Sequence, residues 1–379
     1  MAKILMITGL GSATDLASGK RGAFYNTLEE FSKYWERIDI ICPRIPRGST
    51  SGGFEIEPLF GNVFLHISPW PLIFHPVWFL KKGIQIYKEQ KFDLMTVHEF
   101  PPFYNGIGAK LLWYKIRVPY ILEIFHIPGY PRVSSFKEFI YKFFFKIFIR
   151  FDASTTKAIR VMNGQMVEQM THLGVPRSKI NLIPAAYIDL DVFRPMNLTK
   201  EYDLIFIGRL EKNKGISLLL DAVKKLKFKN DNLKLLIVGA GPLAEELKLK
   251  VKNEKLEKQV VFHGWASDSR EIAEILNKSK ILVMPSYNEG GPRVVLEAMA
   301  CGTPVLATLV GIVPDLFKNA PGGEIINWEA DDIASKAGEL LSNSDKYKEY
   351  SINGLEIAKQ FERKEAIKNY ADRLKEIIA

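Results

Sequence analysis

Residues 285 to 304 read Pro-Ser-Tyr-Asn-Glu-Gly-Gly-Pro-Arg-Val-Val-Leu-Glu-Ala-Met-Ala-Cys-Gly-Thr-Pro, and this stretch decides the fold class of the chain. It follows a short apolar run, Ile281 to Met284, which is typical of a buried strand. Gly290 and Gly291 then interrupt the chain, and Pro292 suits the first position of a helix. The pattern therefore predicts a strand, a loop and a helix in direct succession.

The end of this helix and its two glutamates are equally well marked. Gly302 fits the left-handed position after a helix end, and Pro304 prevents the helix from continuing. Glu289 is then on the loop, and Glu297 is inside the helix. In an open parallel α/β sheet, ligands bind in the crevice at the carboxyl ends of the strands. We therefore expect this loop to line a binding site.

The remainder of the chain alternates between short apolar runs and helical patterns, which predicts parallel sheets with helices on both faces. In the first half we predict strands at Lys3–Thr8, Ile38–Cys42, Val63–Ile67, Leu94–His98, Tyr120–Phe125 and Ala153–Thr156. In the second half we predict them at Leu204–Ile207, Lys234–Val238, Val260–Phe262, Ile281–Met284 and Pro304–Ala307.

Composition limits the class of protein. A chain of 379 residues predicts two or three domains. Its net charge of +9 belongs entirely to residues 1–200, which hold 25 Lys and Arg against 16 Asp and Glu, because residues 201–379 hold 27 of each. This asymmetry indicates either an anionic partner of the first half or a solvated basic surface.

Cysteines and targeting segments point to the cytoplasm. Cys42 and Cys301 are the two cysteines, and both lie in apolar surroundings typical of core residues, so we expect a reducing compartment. The apolar run at the start of the chain is too short for a signal peptide. No stretch has the roughly 20 uncharged apolar residues of a membrane span.

Four motifs in order resemble those of the retaining glycosyltransferases of family 4, which have the GT-B fold. They are Phe206-Ile-Gly-Arg-Leu-Glu-Lys-Asn-Lys-Gly215, Leu236-Ile-Val-Gly-Ala-Gly-Pro242, Val260-Val-Phe-His-Gly264 and the stretch at 285–304. The resemblance is strong from Tyr202 to Leu316 and diffuse before Arg177. The family pattern usually has Asn-Gly where this chain has Ala185-Ala186, and an aromatic residue then Gly where it has Gly291-Pro292.

The resemblance implies an α/β protein with two Rossmann-like parallel-sheet domains facing a deep cleft. Residues 1–195 would form the acceptor-binding domain and residues 196–360 the nucleotide-sugar-binding domain. Residues 361–379 would form a helix that returns to the first domain.

The chemistry of the family needs positive charge, because breaking a sugar–nucleotide bond builds negative charge on a diphosphate. Arg209 and Lys214 follow the predicted strand Leu204–Ile207 and precede a helix, a place where cations are otherwise mildly unfavourable. We interpret both as diphosphate ligands, and the alternative is a pair of ordinary surface cations.

We predict different ligand contacts for Glu289 and Glu297. Glu289 is predicted to bind donor-sugar hydroxyls, and Glu297, alone in an apolar helix, the ribose of the nucleotide. Eight residues span up to ~12 Å along a helix, so the pair does not resemble the acid and nucleophile of a retaining glycosidase. Further donor contacts are predicted at the start of the helix: Gly290, Gly291, Arg293 and Val294.

Three more positions complete the predicted site. His126 follows a predicted strand and matches a family position beside the donor sugar, although a histidine at a strand end is often structural. His263 is predicted to lie at the nucleotide base or to be simply exposed. Gly11 belongs to a glycine-containing loop after the first strand that allows close approach to a diphosphate or sugar.

We predict no metal and no cofactor besides the donor substrate. Asp189-Leu-Asp191 spells the Asp-x-Asp of metal-dependent glycosyltransferases but falls in the connector between the halves. With Arg209 and Lys214 available, no divalent ion is needed.

One aromatic and basic segment raises the question of a membrane. Residues 136–150 read Phe-Lys-Glu-Phe-Ile-Tyr-Lys-Phe-Phe-Phe-Lys-Ile-Phe-Ile-Arg, which on a helix gives a wide apolar face and a narrow basic stripe. Such a helix is either buried in the core or lies in a bilayer interface. Residues 68–82, with Trp70 and Trp78 beside a lysine pair, are a second candidate. We predict peripheral attachment through the first domain.

The sequence thus predicts metal-independent, retaining transfer of a sugar from a UDP- or GDP-linked donor to a lipid-linked or saccharide acceptor, at the cytoplasmic face of a membrane. Three alternatives remain: a GT-B phosphorylase or sugar-nucleotide epimerase, a non-catalytic binding protein, and a nucleic-acid binder. The third has only the basic charge in its favour, because no nucleic-acid motif is present.

Overall fold

The computed structural model describes residues 1–9, 16–17, 22–44, 58–101, 103, 105–228 and 230–378. The chain divides into two compact units. Unit 1 consists of Met1–Ile127, Ile140–Ile183 and Lys364–Ala379, and unit 2 of Pro128–Phe139 and Pro184–Arg363.

Unit 1 contains a parallel sheet with strand order β3-β2-β1-β4-β5-β6-β7 across its described residues. The strands are β1 (Lys3–Ile7), β2 (Arg37–Cys42), β3 (Val63–Ile67), β4 (Leu94–His98), β5 (Tyr120–Ile124), β6 (Ala158–Val161) and β7 (Ile180–Leu182). The helices of this part of the chain are α1 (Ala23–Phe31), α2 (His75–Gln90), α3 (Asn105–Ile116), α4 (Phe136–Ala153) and α5 (Gly164–His172). The first four residues of α4 belong to unit 2.

Unit 2 contains a second parallel sheet, with strand order β10-β9-β8-β11-β12-β13 across its described residues. The strands are β8 (Tyr202–Ile207), β9 (Leu235–Val238), β10 (Val260–Gly264), β11 (Ser279–Met284), β12 (Val305–Ala307) and β13 (Gly323–Ile325). The helices are α6 (Ile216–Lys227), α7 (Ala244–Asn253), α8 (Ser269–Asn277), α9 (Arg293–Ala300), α10 (Val313–Leu316), α11 (Ala330–Ser342) and α12 (Ser344–Lys359). A last helix, α13 (Arg363–Ile378), belongs to unit 1 from Lys364 onward.

The burial of the central strands is typical of parallel sheets. The central strands are near-continuous apolar runs, and every residue of β5 and of β9 is buried. Strands that are covered on both faces have this composition, because helices of the strand–helix connections pack on each side. Cys42 and Cys301 are both buried and unbridged, as expected for core residues, and burial raises the pKa of each thiol to about 12.

The prediction of two parallel α/β sheets is confirmed, and most predicted strands agree with the structure to within one or two residues. The strand predicted at Ala153–Thr156 is wrong, because α4 runs through Ala153 and the strand starts only at Ala158. Thr156 lies in the turn between them, where its hydroxyl donates to the carbonyl oxygens of Tyr120 and Ala158. Thr156 therefore stabilises the turn before β6 and is not part of a strand.

The division into units differs from the predicted boundaries at residues 195 and 360. Unit 2 starts at Pro184 and extends to Arg363. It also takes Pro128–Phe139, a segment that lies between strands of unit 1 in the sequence.

A buried polar cluster fixes α13 to the sheet of unit 1. The Glu123 carboxylate accepts hydrogen bonds from the Tyr370 hydroxyl and from Arg160 Nη1, both at 2.7 Å. The Arg160 guanidinium lies 3.7 Å from the centroid of the Tyr370 ring, and Phe31 stacks on the same ring. Glu123 and Arg160 are almost fully buried, so each charge depends on the other partners for its stabilisation.

We expect Tyr370→Phe to lower the free energy of unfolding by about 1.5–3 kcal/mol, because it removes a buried hydrogen bond to a charged group. Glu123→Ala should cost more, about 3–5 kcal/mol, because it removes the buried carboxylate that pairs with the Arg160 guanidinium. Urea denaturation measures both. Arg373→Ala, which removes an exposed pair with Glu376 on the same helix, is the control and should be close to neutral. A Glu123→Ala effect no larger than that of the control would contradict the account.

Candidate functional site

The strand order of the unit 2 sheet reverses between β8 and β11. From β8 the chain continues to β9 and β10 on one side, and it then returns to β11 on the other side. β11 pairs with β8 in register Ile281 to Leu204 and Leu282 to Ile205. A reversal of this kind leaves a crevice at the carboxyl ends of the two strands, where ligands bind in open α/β sheets.

The loops that follow β8 and β11 bring two predicted site residues into contact. Lys214 Nζ donates to Glu289 Oε1, although 75 positions separate them in the sequence. Both side chains are about 15% exposed. Ser286 Oγ donates to the same carboxylate oxygen at 3.0 Å. A cation and an acid from separate loops thus share one partly shielded position.

Close backbone contact holds these two loops together. The N–H of Tyr287 donates to the carbonyl oxygen of Asn213 at 2.8 Å. Gly215 follows Lys214 in the left-handed region, with φ of +67°, and a side chain there would collide with the carbonyl oxygen of Pro285. Glycine is needed at this position both for its backbone conformation and for the space.

A cavity of about 310 Å³ lies at this edge of the sheet. Its polar side chains are Lys214, Ser286, Glu289 and Arg293, and its walls include the backbone of Gly208 and the apolar carboxyl ends of β8 and β11. An apolar cavity with a few convergent polar groups is typical of a small-molecule site.

The start of α9 supplies most of the predicted donor contacts. Gly291, Arg293 and Val294 line the cavity, and Gly290 is the residue before them. Pro292 was predicted to be the first helical residue, but α9 starts one residue later, and Pro292 is its extended N-cap. The Arg293 guanidinium lies 4.6 Å from the centroid of the Tyr187 ring, which orients it at the cavity wall.

Arg209, the other predicted diphosphate ligand on the loop after β8, is exposed and pairs with a residue outside the cavity. Its side chain is 65% exposed, and its Nη1 atom lies 3.0 Å from Glu211 Oε1. The cavity is lined by its neighbour Gly208 and not by Arg209. Arg209 and Lys214 lie on one loop, as the sequence predicts, but the Arg209 guanidinium pairs with the carboxylate of Glu211.

Glu297 lies in α9 among buried apolar residues, and it does not line the cavity. Burial raises the pKa of its carboxyl to about 7, and Arg293, four residues earlier, opposes this increase. Among the residues that the structure describes, its carboxylate has no hydrogen-bond partner. An acid held in this way gains from any ligand that donates hydrogen bonds to it.

His263 lies on β10, which forms the edge of the sheet two strands away from β8. Its Nε2 atom is 3.3 Å from Glu271 Oε1. The structure therefore pairs His263 with α8 and does not place it in the cavity.

The two remaining predicted residues belong to unit 1. His126 follows β5 and is exposed. It lies near His98, whose pKa burial lowers to about 4. Gly11 lies outside the described residues.

Metal ligation has no support in the described ranges, which contain no group of three or more His, Cys, Asp or Glu able to hold an ion. Asp189 of the Asp189-Leu-Asp191 sequence accepts the N–H of Asp191 at 3.1 Å, so it stabilises a turn.

Three residues near the site were not singled out from the sequence. Ser286 and Asn288 belong to the loop after β11, and Glu138 comes from the Pro128–Phe139 segment of unit 2. The Asn288 amide donates to Glu138 Oε2 at 3.1 Å. Ser286 lies three residues before Glu289 on the same loop, so the sequence could have suggested a contact between the two side chains. No local pattern in the sequence pairs Asn288 with Glu138, which is 150 positions away.

Comparison with known proteins identifies glycosyltransferases among the proteins that this chain resembles. A family model described as "Glycosyl transferases group 1" matches residues 191–356. An uncharacterized glycosyltransferase of Methanocaldococcus jannaschii is 27% identical over 80% of this chain and 82% of its own length. The Escherichia coli UDP-Gal:alpha-D-GlcNAc-diphosphoundecaprenol alpha-1,3-galactosyltransferase is 28% identical over 70% of each chain.

A solved structure shows the same fold. Anabaena HepE, in complex with UDP and glucose, superposes with a TM-score of 0.74 over 99% of this chain and all of its own, at 17% identity. The two parallel sheets, the paired loops at the strand reversal and these similar proteins lead to one conclusion: this chain is a sugar-transferring enzyme with the GT-B fold, and its residues 191–356 match the group 1 glycosyl transferases.

Proposed function

We propose that this glycosyltransferase binds a nucleoside diphosphate sugar, UDP- or GDP-linked, in the cavity at the carboxyl ends of β8 and β11. The observation that carries the proposal is the contact between Lys214 and Glu289 beside Arg293. Two cations suit a diphosphate, and a carboxylate suits the hydroxyls of a sugar.

Donor binding would exchange one set of partners for another. A phosphate oxygen would replace Glu289 as the partner of Lys214, and the sugar hydroxyls would donate to the released carboxylate. Arg293 would supply the second positive charge from the cavity wall. Arg209, which the resemblance assigns to the diphosphate, would have to leave Glu211 first.

Transfer would retain the configuration of the anomeric carbon. The bond between that carbon and the diphosphate oxygen breaks, and the acceptor oxygen forms its new bond on the same face. The acceptor proton passes to an oxygen of the leaving nucleoside diphosphate, which these cations stabilise. No step in this scheme needs a divalent metal.

The relatives support the choice of substrates. Anabaena HepE has been solved with UDP and glucose, and the E. coli relative is named for a UDP-linked donor and a lipid-diphosphate acceptor. We extend both features to this enzyme and assign it a lipid-linked or saccharide acceptor. A phosphorylase or an epimerase would instead yield a sugar phosphate or an isomerised donor, which product analysis distinguishes.

Hydrolysis of a panel of UDP-, GDP- and ADP-sugars by the purified chain should identify one preferred donor, with no loss of rate in EDTA. We expect Lys214→Ala and Glu289→Ala to lower turnover by about 100- to 1000-fold, because each removes a charge aimed at the reacting groups. Lys212→Ala, on the same turn but exposed, is the matched control and should keep wild-type turnover. Retained activity in both cavity variants would refute the proposed roles.

Glu297 should make nucleotide binding depend on pH. Because the pKa of its carboxyl is about 7 in the free protein, the carboxylate that accepts ribose hydroxyls is lost as the pH falls through 7. Calorimetric titration with UDP from pH 8 to pH 6 should show weakening in the wild type. Glu297→Gln should retain only the pH dependence of the nucleotide phosphate itself. Identical pH profiles for the two proteins would exclude Glu297 as the ribose ligand.

We propose in addition that unit 1 attaches to an anionic bilayer through the α4 apolar face, which consists of Ile140, Phe143, Phe144, Ile147 and Phe151. The sequence left open whether this helix is core or interface. In the structure Phe145 and Ile149 are buried, whereas the α4 apolar face is exposed, Phe143 by 58% and Ile147 by 52%.

Basic residues border this face. Lys146 and Arg150 are exposed on α4, and the Lys110 ammonium of α3 lies 3.7 Å from the centroid of the Phe151 ring. In the second predicted segment, Ile73, Phe74 and Val77 are exposed near the start of α2. Aromatic rings beside cations fit the headgroup boundary of an anionic membrane. None of the described helices is long and apolar enough to span a bilayer, so the attachment proposed is peripheral.

Co-sedimentation with phosphatidylglycerol vesicles at low salt should pellet the wild-type chain, and phosphatidylcholine vesicles should not. The variant Phe143→Ser, Ile147→Ser should bind at least about tenfold more weakly, because each side chain loses roughly 1.5–3 kcal/mol of apolar burial. Its Tm should hardly change, since both side chains are exposed. Phe228→Ser, at a single exposed apolar residue of unit 2, controls for surface hydrophobicity. Equal binding of all three proteins would disprove attachment through this face.

A further inference from the structure

We infer that the Pro128–Phe139 segment positions the donor-binding loop of unit 2, and that Glu138 and Asn288 are positioning residues for Glu289. The contact itself is independent of the proposed function. Its consequence for turnover rests on the role proposed above for Glu289.

Asn288 is the residue directly before Glu289, and its side chain is almost fully buried. Its Nδ2 atom lies 3.1 and 3.3 Å from the two carboxylate oxygens of Glu138, and 3.2 Å from the carbonyl oxygen of Arg132. Hydrogen bonds from a buried amide to a carboxylate are charge-assisted and directional. The amide therefore ties the backbone beside Glu289 to the 128–139 segment.

Glu138 is itself held in place at the start of α4. Its Oε2 atom accepts the N–H of Ser134 at 2.8 Å, and its own N–H donates to Ser135 Oγ at 3.3 Å. This arrangement is close to a capping box, in which a serine and a glutamate three residues later satisfy the free N–H groups of a helix start. A carboxylate fixed in this way offers Asn288 a rigid acceptor.

Arg132 adds a second contact from the same segment. Its guanidinium lies 5.4 Å from the ring centroid of Tyr287 and 5.5 Å from that of Trp328. Trp328 in turn donates from Nε1 to the carbonyl oxygen of Ser286 at 2.9 Å. Three successive loop residues, Ser286 to Asn288, are thus fixed by side chains from outside the loop.

Glu289 is the residue that benefits from this restraint. Its carboxylate is held by Ser286 and Lys214 before a donor binds, and a donor would displace Lys214. The orientation of Glu289 toward a sugar then depends on the backbone that Asn288 anchors. Small displacements of a group that contacts the reacting substrate cost large factors in rate.

Hydrogen exchange measured by mass spectrometry tests the contact without any substrate. In Asn288→Ala and in Glu138→Ala, the amides of residues 286–289 should exchange about tenfold faster than in the wild type, because a hydrogen bond to a charged group is lost. The double variant should exchange no faster than Asn288→Ala alone. Phe136→Ala, at an exposed side chain of the same segment whose described ring contact is with Phe139, is the control and should not change exchange in the loop. Unchanged exchange in both single variants would overturn the inference.

Enzyme assays then separate positioning from folding. With the preferred donor from the panel, Glu138→Ala should lower kcat by about tenfold, whereas affinity for UDP, which lacks the transferred sugar that would contact Glu289, should stay within twofold. Glu138→Gln keeps an acceptor oxygen for Asn288 and should recover most of the rate. Equal loss of UDP affinity and kcat, or no recovery in Glu138→Gln, would show a merely structural role. If the wild type turns over no nucleotide sugar, the proposed function fails, and the exchange experiment still decides the contact.

Discussion

Parallel pairing of β8 with β11 is the constraint on which the functional half of this enzyme depends. Because the two strands are neighbours but far apart in the sequence, their following loops meet at one edge of the sheet. Lys214 and Glu289 come into contact there because of this strand pairing, and not because they are close in the sequence. Gly215 allows the approach, since any side chain at that position would collide with the loop after β11.

The charges of the site are balanced in a way that suits exchange of partners. Lys214 is neutralised by Glu289, and Arg209 by Glu211, so neither cation lacks a counter-charge. In the proposed function, a diphosphate with a sugar replaces the first pair with matched partners for both side chains. Glu297 differs, because burial among apolar residues of α9 raises the pKa of its carboxyl and no described residue donates to it.

The sequence was most informative where a structural feature depends on consecutive residues. The loop and helix around Glu289, the left-handed Gly302 and both parallel sheets agree with the prediction. The prediction was wrong at Ala153–Thr156, where β-branched residues form a turn after a long helix. The sequence did not decide whether helix α4 is buried in the core or lies in a bilayer interface, because periodicity identifies an apolar face but not what covers it.

Sequence alone determined the fold class, most of the strands, and the residue types available at their ends, because these follow from local periodicity and turn chemistry. The strands at Ala158–Val161, Ile180–Leu182 and Gly323–Ile325 were not predicted. Only the tertiary structure decided which of those residues meet. It paired Lys214 with Glu289, directed Arg209 to Glu211, and brought Glu138 to Asn288 from 150 positions away. Such contacts depend on which strands become neighbours and on how loops pack. That information is spread over the whole chain and is not present in any single segment.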